Sequence, residues 1–92
     1  MATVTPTPQL LPTGTILRAG YKYYEVVRAT AKTIWAQELE TDTFRGADGI
    51  WHTLPVRGTY ASDKKLMRRP SYIDQSIWFG NDRAYVYEGG VR

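Results

Sequence analysis

The sequence contains no cysteine. That excludes a disulfide framework, a thiolate metal site and a thiol nucleophile. It has one histidine, His52, so a metal centre would have to combine that side chain with carboxylates, and no HxxxH or EF-hand spacing is present. The glycine patterns that cradle phosphate, GxxxxGK[ST] and GxGxxG, are missing. Ser62 and Ser71 are the serines to set beside His52, and neither lies in a nucleophile elbow. No stretch reaches the roughly 18 consecutive apolar residues that a membrane-spanning helix needs. The N-terminus lacks the basic and apolar regions of a secretory signal. These absences set the first expectations: no enzyme, no cofactor, no metal, no membrane, and a cytoplasmic location.

What is present is a chain of 92 residues, the size of one small domain. Such a chain buries roughly 60–65% of its unfolded surface, enough for a single core. Without disulfides or metal, that core or self-association into a homo-oligomer has to hold it. Aromatic residues make up 13% of the chain, including seven tyrosines and three tryptophans, which suits a thin β-core filled by few large side chains or an aromatic binding face. The net charge of +3 is mildly basic and compatible with DNA or RNA as a partner without demanding it.

Residues 1–14 (MATVTPTPQLLPTG) have no charged side chain and hold three of the five prolines. Their composition predicts a flexible arm, with Leu10 and Leu11 as anchors if it docks. Residues 15–90 form one β-rich domain. Residues 15–19 are a short strand. Residues 21–39 read as two antiparallel strands around the polar connection 28–33. Tyr24 and Val26 share one face of the first strand, with Tyr23, Glu25 and Val27 on the other. Ile34 and Ala36 are matched in the second strand against Trp35, Gln37 and Leu39. Apolar groups on both faces predict a strand covered on two sides. A helix over 29–40 is the rival, disfavoured by the β-branched and aromatic run Thr33, Ile34, Trp35. Residues 40–49 read as a loop with a turn at Asp48 and Gly49. Residues 50–56 form a short strand that lies on an edge or ends at Pro55, and residues 57–63 a second loop. Residues 71–79 admit a strand or a one-turn helix with Ser71 and Asp74 as a capping box. A final hairpin closes the chain. The fold expected is mainly β: a small SH3-like barrel or a rolled antiparallel sheet of five or six short strands.

Two groups of residues stand out as binding candidates. Lys64, Lys65, Arg68 and Arg69 crowd into one basic segment, with Arg57 and Tyr60 just before it. Cations beside an aromatic ring suit a phosphate backbone and a stacked base. A strand would put Lys64 and Arg68 on one side, and Lys65 and Arg69 on the other. The structural alternative is an edge strand whose charges block sheet-to-sheet pairing. Phe44 and Trp51 flank the glycine-containing loop and are of the residue types that anchor interfaces. Trp35, Trp78, Tyr85 and Tyr87 are expected in the core.

The segments GTIL (14–17), YYEVV (23–27) and TAKTI (30–34), with RR at 68–69 and AYVYEG at 84–89, resemble a group of small uncharacterised bacteriophage proteins. The chain departs from that group where a WGYDQTN-like stretch is common and residues 18–22 read RAGYK. The resemblance implies a phage origin, a small β-rich fold and an infected bacterial host as the compartment. Phage proteins of this size often act by binding. The function expected is steric inhibition of a host protein or nucleoprotein complex, one that handles nucleic acid in defence, as an anti-CRISPR protein does. Direct binding of DNA or RNA through residues 64–69 is the first alternative, and a small virion structural component the second.

Overall fold

The structure is a computed structural model, and it describes residues 9–92. Residues 1–8 of the expected arm lie outside the described residues. Six strands follow in order: β1 (Ile16–Ala19), β2 (Lys22–Ala29), β3 (Ile34–Arg45), β4 (Trp51–Arg68), β5 (Ile77–Phe79) and β6 (Asp82–Val86). Every pairing is antiparallel, and the order across the sheet is β4-β3-β2-β1-β6-β5. No helix occurs among the described residues. The two-residue hairpins β1–β2 and β5–β6 place Gly20 (φ 63°) and Gly80 (φ 62°) at their first central positions, a conformation that costs glycine nothing.

The expected division of faces holds. Leu17, Ala19, Tyr24, Val26, Ile34, Ala36, Ile77 and Phe79 form the main core on one face. Ile16, Tyr23 and Leu39 form a second cluster on the other, covered by Tyr60 and Tyr87. Strand β2 is therefore buried on both sides. Leu10 and Leu11 pack against the main core, and the Leu10 amide donates to the Thr30 carbonyl at 2.8 Å.

The sheet is curled into a half-barrel. Tyr24 on β2 stacks on Phe79 of β5 with centroids 4.1 Å apart and planes 6° from parallel, although β1 and β6 separate these strands in the sheet. A flat sheet cannot bring them together. The two edge strands also meet. Arg68 Nε on β4 donates to the Trp78 carbonyl of β5 at 2.9 Å, and the guanidinium lies 5.1 Å from the centre of the Phe79 ring.

Three expectations are corrected. Residues 40–49 are not all loop, because β3 continues to Arg45 and the turn occupies only the residues before Trp51. Cross-strand threonines extend the ladder there, with Thr43 Oγ1 2.9 Å from Thr53 Oγ1. Nor are residues 57–63 a loop, since β4 runs through them. Opposite the step from Gln37 to Leu39, β4 advances from Lys65 to Tyr60, and opposite Leu39 to Thr41 it advances from Tyr60 to Pro55. Bulges absorb the surplus and bend the strand. Pro55 does lie on an edge strand, as expected. Finally, Trp78 (47% exposed) and Tyr85 (61%) are not core residues. They occupy the outward parity of β5 and β6, where none of the described residues covers the curled sheet. Residues 71–76 form a turn rather than a helix. The Ser71 amide donates to the Ser76 carbonyl at 2.8 Å rather than to Asp74, which accepts from the Ser76 amide and hydroxyl, so no capping box forms.

Ile34 is fully buried in the main core. Ile34→Ala is expected to lower unfolding free energy by about 2–5 kcal/mol, whereas Trp51→Ala, at an exposed position, should change it by under about 0.5 kcal/mol. Urea denaturation midpoints measure both, and equal losses would refute this placement of the core.

Candidate functional site

The residues singled out in the sequence separate into three groups. The first serves a buried carboxylate. Glu25, only 7% exposed on β2, accepts a hydrogen bond from Arg57 Nη1 at 2.8 Å and another from the Tyr60 hydroxyl at 2.5 Å. Arg57 Nη1 also donates to the Gly14 carbonyl at 3.0 Å. The Arg57 backbone pairs with the last residue, its amide donating to the Arg92 carbonyl at 3.1 Å. Arg57 and Tyr60 thus fasten the bulged part of β4 over the second cluster. Arg68 belongs with them as the seam between β4 and β5, because it also donates to the Met67 carbonyl at 2.8 Å.

The second group lies at the β3–β4 tip. Phe44 is half-buried beneath the Arg92 guanidinium, 4.0 Å from the ring centre, while Arg92 Nε pairs with Asp42 at 2.9 Å. Trp51 and its neighbour Ile50 are 67% and 60% exposed. His52 Nε2 sits 3.2 Å from both Asp48 carboxylate oxygens. The Ile50 amide and His52 together hold the Asp48 carboxyl below its usual range, the amide having the larger effect. The hydroxyls of Ser62 and Ser71 accept from the backbone amides of Lys64 and Ile73 respectively and make no bond to His52. Among the described residues, no cluster of histidine and carboxylates could hold a metal ion.

The third group is exposed and uncommitted. Lys64 and Lys65 make no side-chain hydrogen bond or ion pair among the described residues. Arg69 makes one bond, from Nε to Thr33 Oγ1 at 3.3 Å. As a strand requires, Arg68 points into the curl while Lys65 and Met67 share the outward parity with Gln37 and Trp35.

These outward positions continue around the roll and include residues that the sequence reading had not singled out for binding. Arg28 lies across from Trp35, its guanidinium 4.6 Å from the ring centre. Trp35 is half-buried and faces Met67, which is 51% exposed. Arg68 bonds the carbonyls of both Met67 and Trp78, so the outward side chains of β4 and β5 fall on one surface there. Beyond the seam Trp78 pairs with Arg83, and Tyr85 with Arg18. The Arg83 guanidinium lies 5.4 Å from the Tyr85 ring centre. The result is an outer belt of Arg28, Trp35, Lys65, Met67, Arg69, Trp78, Arg83, Tyr85 and Arg18. Glu25, of outward parity on β2, is buried and paired, whereas Asp63 on β4, two residues before Lys65, is exposed. Parity was the available signal for Arg18, which lies between the inward Leu17 and Ala19, but not for Arg28, which shares the parity of Val26 and is turned outward by the bulge between Val26 and Arg28.

No protein family, no curated protein and no solved structure matches the chain.

The Tyr60 pKa is raised above the ordinary tyrosine value of about 10, first by its hydrogen bond to Glu25 and then by burial. A raised folded-state pKa means that the neutral phenol stabilises the fold below pH ~10, and that this contribution is lost as pH rises through the folded value. Tyr60→Phe is expected to cost about 1–3 kcal/mol at pH 7 by removing a donor from a buried acceptor. Its unfolding free energy should converge with that of the wild type above pH ~10. Denaturation midpoints measured from pH 7 to 11 test this, and a constant difference would contradict it.

Proposed function

We propose that the protein is a non-enzymatic binding protein that takes single-stranded nucleic acid on its outer cation–aromatic belt. The observation that carries this reading is the outward row in which Arg28 stacks on Trp35 beside Met67 and Lys65, with Trp78, Arg83, Tyr85 and Arg18 continuing it past the seam. Single strands are bound by cations that follow the phosphates and rings that accept unstacked bases. A duplex offers only its backbone to such a surface. The belt also answers the charge balance. Ion pairs engage Lys22, Arg57 and Arg92, whereas Arg18, Arg28, Lys65, Arg69 and Arg83 have no carboxylate partner among the described residues. The basic segment contributes Lys65 and Arg69 to this surface, while Lys64 has the opposite strand parity and Arg57, Tyr60 and Arg68 are held by the fold.

A second reading rests on a different feature. The exposed Ile50 and Trp51 form an apolar tip where β4 begins, at the opposite end of that strand from Lys65 and Arg69. With the resemblance to small phage proteins, the tip supports occlusion of a host complex that handles nucleic acid, of the CRISPR-effector type. On that reading Trp51 is the anchor and the basic belt covers the channel where the complex holds its own nucleic acid. Purified effector should be retained by immobilised wild-type protein and lost with Trp51→Ala, and equal retention of the two would discard the tip as an anchor.

For the leading reading, a fluorescent oligonucleotide should bind in preference to the duplex of the same sequence. About five phosphate contacts predict a slope near −3.5 in log affinity against log salt concentration. Trp35→Ala should weaken binding by about 1–3 kcal/mol, and Arg28→Ala should reduce the slope by about 0.7. Absence of binding at low salt, or variants equal to wild type, would overturn the reading.

A further inference from the structure

A cleft of about 400 Å³ opens where the docked N-terminal segment meets the β2–β3 loop and the turn after β4. Its volume falls within the range of small-molecule sites. Lys32 and Arg69 bring two cations to it, Leu10 and Pro70 line it with apolar surface, and Tyr72 and Gln75 complete the wall. No carboxylate lines it. The nearest acidic residue in the turn, Asp74, is occupied by the amide and hydroxyl of Ser76.

Leu10 belongs to the fold, since it packs against the main core, but the polar and aromatic groups of the lining are largely uncommitted. Arg69 is oriented through Nε alone, by Thr33 Oγ1, which leaves its two terminal nitrogens as a free fork. A guanidinium fork presented in this way matches the oxygens of a phosphate. Lys32 has no ion pair among the described residues. Tyr72 is 90% exposed and stacks on no other ring, so its face is open. Gln75 has φ 61°, a left-handed conformation that is uncommon for a side-chain-bearing residue. It is kept there by its amide bond to the Ser71 carbonyl at 2.7 Å, and by the Ser71 amide bond to the Ser76 carbonyl at 2.8 Å. Strained backbone that its surroundings fix in place is concentrated at ligand sites.

We infer that this cleft binds one nucleotide, its phosphate between Lys32 and Arg69 and its base against Tyr72, with the amide of Gln75 reading the base edge. The same chemistry has two sources: a free nucleoside monophosphate, or the phosphorylated end of a strand lying on the outer belt. The inference deepens the nucleic-acid reading and rests on it for the strand-borne source, because Arg69 stands at the margin of both surfaces.

The test uses the full chain and backbone-amide NMR shifts with calorimetry. AMP should shift the amides of Lys32, Arg69 and Gln75, while adenosine and inorganic phosphate should each bind about tenfold or more weakly than AMP. Tyr72→Ala and Arg69→Ala should each weaken AMP about tenfold, and Lys22→Ala, an exposed cation outside both the cleft and the belt, should leave it unchanged. An oligonucleotide with a 5′-phosphate that binds about tenfold tighter than its 5′-hydroxyl form identifies the strand end as a source. Equal binding of the two forms, with AMP retained, assigns the cleft to free nucleotide. Two results overturn the inference: no shift at these amides in millimolar AMP, or inorganic phosphate binding as tightly as AMP. If the cleft fails in this way while oligonucleotide still binds the belt, the nucleic-acid reading survives. If AMP binds but no oligonucleotide does, that reading falls and the cleft remains.

Discussion

The carboxylate of Glu25 is the constraint on which the rest of the structure depends. It lies on β2, in the middle of the sheet, on the face that also buries Tyr23 and Ile16. A buried carboxylate without partners is too costly to keep, so donors have to be brought to it. They come from β4, which is separated from β2 by β3 in the sheet. Reaching Glu25 requires β4 to rise over the face of the sheet, and its surplus residues between Pro55 and Lys65 make that possible. The bulges thus follow from an electrostatic requirement. Arg57 then ties in both ends of the described chain, through the Gly14 carbonyl and the Arg92 carbonyl.

The curl of the sheet is the second consequence. Once β4 is bent, its far end approaches β5, and the two edges meet at Arg68 rather than through a backbone ladder. Closure by one guanidinium leaves the half-barrel without the continuous pairing of a full barrel. It also fixes which residues are inside. Tyr24 and Phe79 stack within the curl, and the alternate residues are turned out. Those outward residues are short of apolar partners, which is why cations and large rings sit there side by side.

The hairpin of β2 and β3 was legible in the sequence because alternation is local. Tyr24, Val26, Ile34 and Ala36 fall on one face and Tyr23 and Leu39 on the other whatever the remainder of the chain does. The length of β4 was not legible, since Gly58 and the polar residues around it have the composition of a loop and become strand only by pairing with β3. Arg57, Tyr60 and Arg68 looked free for the same reason. Their partners are Glu25, 32 and 35 residues away from the first two, and a backbone carbonyl of β5 that no sequence pattern marks. Trp78 and Tyr85 looked like core residues because large rings in strands generally are. In so small a curled sheet, the described residues cover one face of the short strands β5 and β6 and leave the other open.

The cations therefore divide by what they touch. Arg57 and Arg68 meet a carboxylate or carbonyls inside the structure, and removing them would loosen it. Arg18 meets the ring of the buried Tyr23, while Arg28 and Arg83 meet the half-buried Trp35 and the exposed Tyr85. Cation–ring contacts at exposed sites contribute only about 0.5–1 kcal/mol each, and like charges gathered on one surface work against it. Such an arrangement adds little to folding compared with apolar or oppositely charged residues at the same positions. On the proposed nucleic-acid reading it would gain its value when a polyanion arrives, because each phosphate would relieve the repulsion and each ring is already oriented beside a cation. The outer belt contributes little to the isolated protein, and on the proposed reading it is favourable to a complex; that asymmetry would separate it from the cations that hold the fold.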